Sequence, residues 1–204
     1  MGHKFAELAF TPNVKAEQEA QGSRASYARF EVGEDHHDVL GPQEAAFIGM
    51  RDSFYMATVG ETGWPYIQHR GGPSGFLKVL DERTLGFADF RGNRQYISVG
   101  NLKSDDRVSL FLMDYASKTR LKILGQARIL DPSDNETLKR LVLPAYRAQV
   151  ERGLLISVEA FDWNCSQHIT QRFTLAEVEA ATEPLLMRIG ELERALHQRG
   201  DGGA

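Results

Sequence analysis

Short apolar segments separated by turn residues fill the middle of the chain and restrict its fold more than any other feature. They are rich in aromatic and β-branched residues, as in SFYMATV at 53–59, and further examples lie at 84–90, 107–115 and 120–130. Such segments are typical of β-strands, and turn signals at short spacing favour antiparallel pairing. Gly125, inside the last segment, predicts a β-bulge. We therefore predict a mainly β protein with flanking helices, whose centre is an antiparallel barrel of about six strands.

Helical patterns flank these strands. The sequence predicts helices over 42–51, 93–102, 133–152 and 174–199. The last one begins with Thr174 and Glu177, which can form a capping box, and Pro184 is expected to restart it.

The last predicted helix also carries a single apolar stripe. Its members are Leu185, Ile189, Leu192 and Leu196. A stripe with this spacing must bury against another surface. That surface is either the protein's own barrel or the equivalent region of a second copy in a dimer.

The polarity of the sequence divides it into three parts. Residues 1–40 are polar and are predicted to form an extended or weakly structured N-terminal arm. Residues 41–173 contain the predicted strands and form the barrel domain, and residues 174–204 form a C-terminal helix and a flexible tail. A chain of 204 residues is long enough to bury a core without disulfides or structural metals.

Cysteine usage and hydropathy suggest a compartment. The single Cys165 cannot form an internal disulfide, and the first residues lack the continuous apolar core of a secretory signal. The apolar runs elsewhere are short and interrupted by charge. We therefore expect a cytoplasmic protein with no membrane-spanning segment.

Positive charge is concentrated in the middle of an acidic chain. The net charge is −4, from 24 basic and 28 acidic residues. Between Gln68 and Arg128 there are 11 Lys and Arg against 6 Asp and Glu, so this segment carries +5 and the remainder −9. A chance fluctuation of surface charge is one explanation. The other is a discrete anionic ligand, rather than a nucleic acid, since long polyanions select strongly basic proteins.

Three cationic turns could contact such an anion. Arg70 is followed by two glycines, which let a ligand approach the backbone, and its guanidinium offers a planar fork for phosphate. The turn 93–95 opens a predicted helix, whose first amides favour an anion, and the turn 117–120 opens a strand. Each turn alone is more simply structural, but the three together favour a ligand cradle. The sequence contains neither a nucleotide-hydrolase phosphate loop nor a dinucleotide fingerprint.

Other reactive residues give weaker signals. Trp163 could cover a flat heterocycle or fill a core. Cys165 and His168 show no spacing typical of a nucleophile with its base, so we assign no catalytic residue. His36 and His37, which lie between acidic residues, could bind a metal, but adjacent histidines in a polar arm are more often solvated, and we predict no metal site.

The region from 53 to 130 resembles the FMN-binding split barrel of the pyridoxamine 5′-phosphate oxidase-like flavoproteins. The resemblance rests on the strand order and on four stretches: GFLK at 75–78, FADFRGNR at 87–94, RVSLFLMDY at 107–115 and RLKILGQARIL at 120–130. It implies a six-stranded antiparallel split β-barrel and FMN as the cofactor. It also implies a homodimer with FMN at the subunit interface, and a small-molecule substrate or electron donor.

The resemblance further implies a set of cofactor-binding residues. They are Arg70, Lys78, Asp89, Asn93, Arg94, Gln95, Arg120, Trp163 and Arg172. Among them Arg94 matches the family's phosphate-binding arginine, whereas Gln95 replaces the usual neighbouring lysine. Trp163 and Arg172 match residues that the partner subunit offers to the cofactor.

One departure from the family pattern bears on the reaction. The run after Trp163 lacks the arginine and histidine pair that helps true pyridoxamine phosphate oxidases hold their substrate, which argues against vitamin B6 oxidation. An FMN-dependent oxidoreductase is the leading hypothesis. The alternatives are a non-catalytic module that binds or senses flavin or haem on the same barrel, and a deazaflavin-dependent reductase. His69 and His168 are the candidate axial ligands for haem.

Overall fold

The computed structural model describes residues 3–33, 36–163 and 167–200, with side chains as far as 197. Its helices are α1 (Lys4–Ala9), α2 (Pro12–Ala20), α3 (Arg24–Ala28), α4 (Pro42–Gly49), α5 (Ile97–Asn101), α6 (Asn135–Leu141) and α7 (Leu175–Gly200). Its strands are β1 (Ser53–Val59), β2 (Pro65–Gly71), β3 (Lys78–Asp81), β4 (Thr84–Phe90), β5 (Arg107–Asp114), β6 (Thr119–Ile129) and β7 (Val150–Trp163). A short 3₁₀ turn, Arg29–Glu31, follows α3.

All seven strands belong to one antiparallel sheet. Their order across the sheet is β2-β1-β5-β6-β7-β4-β3. The predicted mainly β class with flanking helices is confirmed. The expected number of six strands is wrong by one, because the four-residue β3 pairs with β4 and adds an edge strand of its own.

The connection between the two edge strands forces the sheet to curl. β2 and β3 lie at opposite edges, yet only residues 72–77 join them. A flat sheet of seven strands would be about 29 Å wide at about 4.8 Å per strand. Six linking residues reach only about 25 Å when fully extended. The edges therefore approach each other around a common interior, and the described strands close as a barrel that is split between β2 and β3.

The interior of the barrel is filled by alternate side chains of its strands. On β1 every second residue is buried, with Phe54 and Met56 no more than 1% exposed. Phe54 stacks on Phe76 of the linker and meets Phe87 of β4 edge to face. Aromatic and aliphatic side chains from both sides of the split thus share one core.

The bulge predicted at Gly125 is confirmed. The register between β6 and β7 shifts between Leu124 and Gly125. A Cβ at residue 125 would collide with the backbone carbonyl of Ser157 on the neighbouring strand. Only glycine lets the two backbones come this close, so the bulge fixes how β7 crosses β6.

Two sequence-based predictions of local structure are wrong. The N-terminal arm is not extended but contains α1, α2 and α3, with Thr11 capping α2 and proline in the first turn. The helix predicted over 133–152 ends at Leu141, because Pro144 stops it and the residues from Val150 pair with β4 instead.

The described residues divide into two compact units. Unit 1 comprises 1–114 and 119–166, and unit 2 comprises 115–118 and 167–204. In unit 2, α7 begins with the predicted capping box, in which the Glu177 carboxylate accepts from the Thr174 amide at 2.7 Å. The helix continues through Pro184 rather than restarting there. Residues 201–204, predicted to be a flexible tail, lie outside the described residues, and the domain boundaries at 40 and 173 stay predictions.

The helices were also examined for the ability to span a membrane. Within 3–33, 36–163 and 167–200, none combines the length and apolarity that a membrane span requires.

Candidate functional site

A cavity of about 250 Å³ opens in unit 1 where the split of the barrel meets the end of β4. We call it the split cavity. The residues that matter here are Arg70, Asp89, Asn93, Arg94, Ser98 and Glu151. Four of them belong to the predicted cofactor set. The structure therefore brings together residues that are distant in the sequence and come from β2, β4, the β4–α5 connection and β7.

An ion pair across the split forms the inner wall of this cavity. Arg70 pairs opposite Phe54, and Asp89 follows Phe87 by two residues, so both side chains point to the same interior as these phenylalanines. Arg70 Nη1 donates to Asp89 Oδ1 at 2.6 Å, and the side chains are only 12% and 8% exposed. Arg152, which lies opposite Asp89 on β7, brings its Nε to 3.5 Å from Oδ2.

The environment of Asp89 has opposing effects on its ionisation. Burial raises the pKa of the Asp89 carboxyl above its ordinary value, whereas the positive charges of Arg70 and Arg152 act in the opposite direction. Because Asp89 holds the Arg70 guanidinium, much of the charge of Arg70 is compensated within the protein. Its main effect here is to fix the position of this wall.

The outer wall is a strained segment between β4 and α5. Arg94 and Tyr96 have φ angles of 61° and 52°, a left-handed conformation that non-glycine residues rarely adopt. The amide of Gln95 donates to the side-chain oxygen of Asn93 at 3.2 Å and tightens the turn. Left-handed residues of this kind cost on the order of 1 kcal/mol each and are frequent at ligand sites.

This segment also corrects a prediction. The helix expected from 93 begins only at Ile97, so Asn93 does not cap it and its first amides do not lie at 93–95. What the segment offers instead is the exposed guanidinium of Arg94. Within the described part of the chain its hydrogen bond uses Nε, which donates to the Tyr96 hydroxyl at 3.1 Å. The Tyr96 hydroxyl in turn donates to Glu151 at 3.1 Å.

The terminal nitrogens of Arg94 therefore remain directed to solvent at the mouth of the cavity. Ser98, which is 1% exposed, donates its hydroxyl hydrogen to Gln68 on β2 at 2.9 Å and closes the floor. Sequence reasoning missed Gln68, Tyr96, Ser98 and Glu151. Only the aromatic and hydroxyl residues at the start of the predicted helix gave a signal for any of them.

The remaining predicted residues of unit 1 lie elsewhere. Lys78 is half-buried at the start of β3, opposite Gly86. Arg120 is half-buried on β6 with its guanidinium 5.7 Å from the Phe111 ring. Neither lines the split cavity, and Gln95 contributes to its turn rather than to its lining.

Trp163 and Arg172 are also held outside the split cavity or in the other unit. The Trp163 indole donates to Glu44 of α4 at 2.8 Å and meets Phe47 edge to face at 4.8 Å. Arg172 lies in unit 2, where its guanidinium is 5.2 Å from the Tyr115 ring.

Two of the predicted cofactor residues retain unused hydrogen-bonding capacity. The Nε atoms of Arg70 and Arg120 are buried, and neither has a hydrogen-bond partner within the described part of the chain. Buried donors are normally satisfied. These two positions, with the exposed fork of Arg94, fit a ligand that brings phosphate or hydroxyl oxygens, although ordered water would satisfy a donor equally well.

A larger cavity of about 450 Å³ lies at the other end of the sheet. We call it the N-terminal cavity; its aromatic wall consists of Phe5, Phe10, Tyr27, Phe30 and Trp163. Lys122 and Asp162 supply its polar side and pair at 2.6 Å. Sequence reasoning missed it because residues 1–40 were expected to be extended, and the only signal was the proline that follows a capping residue at 11–12.

The predictions for the histidine pair and the cysteine have different outcomes. His37 is not solvated as expected: its ring stacks on Phe161 at 5.1 Å, and its carbonyl accepts from the Phe161 amide at 2.8 Å. Within the residues that the structure describes, no cluster of three metal-ligating side chains occurs. Cys165 lies outside the described residues, so its role stays a prediction.

Comparisons with known proteins complete the description of the site. The sequence profile of the pyridoxamine 5′-phosphate oxidase family matches residues 40–164. A search of curated proteins finds no match.

Solved structures similar to this chain come from several bacteria. HupZ of Group A Streptococcus is 18% identical, with 66% of this chain and 100% of that one covered and a TM-score of 0.49. A Clostridium acetobutylicum protein related to general stress protein 26 is 17% identical, with 67% and 94% covered and a TM-score of 0.43. HutZ, the haem-storage protein of Vibrio cholerae, is 14% identical, with 60% and 93% covered and a TM-score of 0.42.

Proposed function

The chain belongs to the pyridoxamine 5′-phosphate oxidase family, and we propose that it is an FMN-binding flavoprotein that acts as an oxidoreductase on a small molecule. The observation that carries the proposal is the split cavity. There, Arg70, Asp89, Asn93 and Arg94, all within the part of the chain that matches the family, converge on one concave site. Strained backbone and an exposed arginine fork are features that suit a phosphorylated ligand.

The residues of the cavity divide the work of holding FMN. Arg94 would bind the phosphate, because its terminal nitrogens are directed to solvent and Tyr96 fixes its Nε. Asn93 and Gln95 would set the turn that presents this arginine. The buried Arg70–Asp89 pair would keep β2 and β4 at a constant separation, so that the cavity is formed before the ligand arrives.

The redox chemistry would come from the isoalloxazine ring when FMN is bound, and the protein would supply binding, orientation and electrostatics. No side chain of the split cavity needs to act as a nucleophile. Oxidation of pyridoxamine phosphate itself is not proposed, because the residues after Trp163 lack the arginine and histidine pair expected for that substrate.

A second copy of the chain would complete the site. A cavity of about 250 Å³ is smaller than the roughly 300–1,000 Å³ typical of small-molecule pockets. One chain therefore supports only part of an FMN molecule. In the proposed homodimer, Trp163 and Arg172 of the partner subunit would supply further contacts, and Lys78 and Arg120 would contribute from strands that border the interface.

Haem is less well supported by this cavity than flavin. Its described lining contains no histidine, cysteine or methionine, and the hydroxyl of Tyr96 is already bonded to Arg94 and Glu151. His69, one of the two candidate ligands, follows Gln68 on β2 and therefore points away from the interior, where its ring meets that of Tyr55.

Absorption spectroscopy of the purified protein tests the proposal. We expect a yellow protein with flavin bands that releases FMN on denaturation, at one FMN per chain. Bands of haem, or uptake of a deazaflavin in preference to FMN, would replace the cofactor with one of the alternatives. A colourless protein that ignores added FMN would contradict the proposal.

The same preparation separates an enzyme from a carrier. We expect NADH or NADPH to bleach the flavin bands under anaerobic conditions, with air restoring them. If the bound flavin resists both donors while free FMN is reduced chemically in the same cuvette, the oxidoreductase part of the proposal is wrong and the binding part stands.

A further inference from the structure

Helix α7 carries an apolar seam with the spacing of a two-stranded coiled coil. The seam residues follow one another at alternating steps of three and four and are Leu175, Val178, Thr182, Leu185, Ile189, Leu192 and Leu196. In heptad notation, abcdefg, the first residue of this series occupies position a and the second position d, and the alternation continues to the end. A 3–4 repeat kept over about three heptads holds one side of a helix toward one partner helix.

The seam is exposed on the single chain. The exposed fractions of Leu185, Ile189, Leu192 and Leu196 are 63%, 50%, 49% and 69%. Single exposed apolar residues are ordinary at protein surfaces, but a continuous stripe of large ones is a mark of an interaction site.

The residues chosen at the seam favour two parallel helices. Ile189 at position a lies between Leu185 and Leu192 at position d, and β-branched a residues with leucine at d favour parallel dimers. Thr182 is the polar a residue. Its hydroxyl already donates to the Val178 carbonyl of its own helix at 2.9 Å, so it needs no partner across the seam and can pack its methyl group there.

Pro184 does not interrupt the seam itself. It lies at position c, which points away from a partner helix. Its ring removes the backbone hydrogen bond that residue 184 would donate to Ala180, which occupies position f on the same outer side. Both consequences of the proline therefore fall where water can satisfy the backbone.

Charges beside the seam distinguish parallel from antiparallel pairing. In a parallel pair, position g faces position e of the partner in the next heptad, which brings Arg188 to Glu193 of the partner subunit and Ala181 to Leu186 of the partner subunit. In an antiparallel pair, e faces e, and the charged residues at e are Glu179 and Glu193. Parallel pairing therefore joins opposite charges and antiparallel pairing joins like ones.

We propose that α7 pairs with the α7 of a second copy of this chain as a parallel, in-register coiled coil through the seam at 175–196. The Arg188 guanidinium, which donates to Glu191 within its own helix at 2.7 Å and is exposed, is free to exchange that partner for Glu193 of the partner subunit. This contact needs no flavin, so the proposal goes beyond the proposed function and does not depend on it.

Disulfide cross-linking of the full-length protein tests the pairing. Cys165→Ser removes the native thiol, and Leu192→Cys then places one thiol at a seam position d. Two such residues face each other in a parallel, in-register pair at a separation that a disulfide can span. We expect mild oxidation at low micromolar concentration to convert most of this variant into a covalent dimer.

Arg194→Cys in the same Cys165→Ser background is the matched control, since residue 194 occupies position f on the opposite side of the helix. We expect its yield of covalent dimer to be about tenfold lower. Equal yields for the two variants, or no cross-link at residue 192, would overturn the proposal and indicate that the stripe packs on a barrel or on nothing.

A charge reversal tests the orientation. Arg188→Glu in the Leu192→Cys variant places glutamate opposite Glu193 of the partner subunit and should lower the rate of cross-linking several-fold. Glu193→Arg added to it should restore the rate. A rate that is insensitive to both changes contradicts the parallel arrangement.

The flavin spectrum of each variant keeps this inference separate from the proposed function. Retained flavin with no cross-link rejects only the coiled coil. A colourless protein that cross-links at residue 192 rejects only the flavin proposal.

Discussion

Arg94 is the residue on which the proposed phosphate contact depends. Its guanidinium is exposed at the mouth of the split cavity, and Tyr96 holds only its Nε. A hydrogen bond from a charged group contributes about 1.5–3 kcal/mol, so Arg94→Ala should weaken FMN retention by about ten- to a hundredfold. Equilibrium dialysis or flavin fluorescence measures the change.

Arg107→Ala is the control for this prediction. Arg107 is also exposed and paired, with Asp105, but it lies at the start of β5 and does not line the cavity. We expect FMN retention to be unchanged in this variant and both variants to unfold as the parent does. Equal losses in the two variants would remove the assigned role of Arg94.

Asp89 has a structural role that mutation can separate from the ligand site. Asp89→Ala leaves the Arg70 guanidinium buried without its charge partner, which should lower the free energy of unfolding by about 3–5 kcal/mol. The double variant Arg70→Met with Asp89→Leu removes both charges and should lose much less. Urea unfolding at neutral pH measures both, and an equal loss in the two variants would contradict the role of the pair.

The ionisation of Asp89 adds a pH dependence with a defined sign. Burial raises the pKa of this carboxyl from 3.8, so the folded state binds its proton more tightly than the unfolded chain. The stability that this proton contributes is fully present below the ordinary pKa and is lost as the pH rises through the raised one. The stability of the parent relative to Asp89→Asn should therefore decrease from about pH 4 toward neutrality, and an increase over that interval would contradict this assignment.

At the scale of elements, local pattern was sufficient where a strand's alternation and its turns agree. β1 and β4 have the bounds that the sequence predicts, because both end at turn residues and carry β-branched or aromatic side chains. The short helices α1, α2 and α3 could not be predicted in this way. Helices of five to nine residues are marginal on their own, and packing against the rest of the chain stabilises them.

The same distinction applies to the candidate site. The sequence brings Asn93 and Arg94 together because they are adjacent, and resemblance to a family adds Arg70 and Asp89. It cannot show that Arg70 and Asp89 bind each other, since that contact exists only after the sheet curls. Nor can it show Glu151, which joins the cavity from a strand whose first residues had been assigned to a helix.

The bulge at Gly125 allows a prediction for an element. Gly125→Ala places a methyl group against the Ser157 carbonyl, so the ladder between β6 and β7 must shift or open. Overpacking of this kind costs about 1–3 kcal/mol, and more where backbone atoms cannot move aside. Thermal or urea unfolding should show the loss.

Gly100→Ala is the matched control. Gly100 lies in α5, and nothing is within 4 Å of the position that its Cβ would occupy. Since alanine favours a helix over glycine by about 1 kcal/mol, this change should leave stability equal or higher. A loss at residue 100 as large as that at residue 125 would show that the steric argument is wrong.

At the scale of the whole molecule, the N-terminal helices are part of unit 1 rather than an appendage. β4 covers β7 only as far as Ser157, and beyond it the Phe161 amide donates to the carbonyl of His37. Ion pairs from Lys15 and Arg24 to Glu31 hold α2 and α3 to the following turn. The segment thus covers an end of the sheet that would otherwise be exposed.

Deleting residues 1–39 should therefore destabilise unit 1. The change removes the aromatic wall of the N-terminal cavity and exposes the surface around Phe161, which should lower the free energy of unfolding by roughly 2–5 kcal/mol. Hydrogen exchange at the Phe161 amide should accelerate as well. A truncated protein with unchanged stability and an equally protected amide would return the segment to the extended arm that the sequence predicts.

The strand order has a consequence for the time at which this protein can fold. β7 lies between β6 and β4 and is the only strand that joins β2-β1-β5-β6 to β4-β3. It is also the last strand in the chain, so a nascent chain that ends before residue 150 contains two separate half-sheets, each with an unpaired edge. Long-range pairing of this kind is slow and exposes strand edges until it is complete. We therefore expect the barrel to close only after residue 163 has left the ribosome, and the exposed edges of β6 and β4 to be the surfaces that chaperones protect until then.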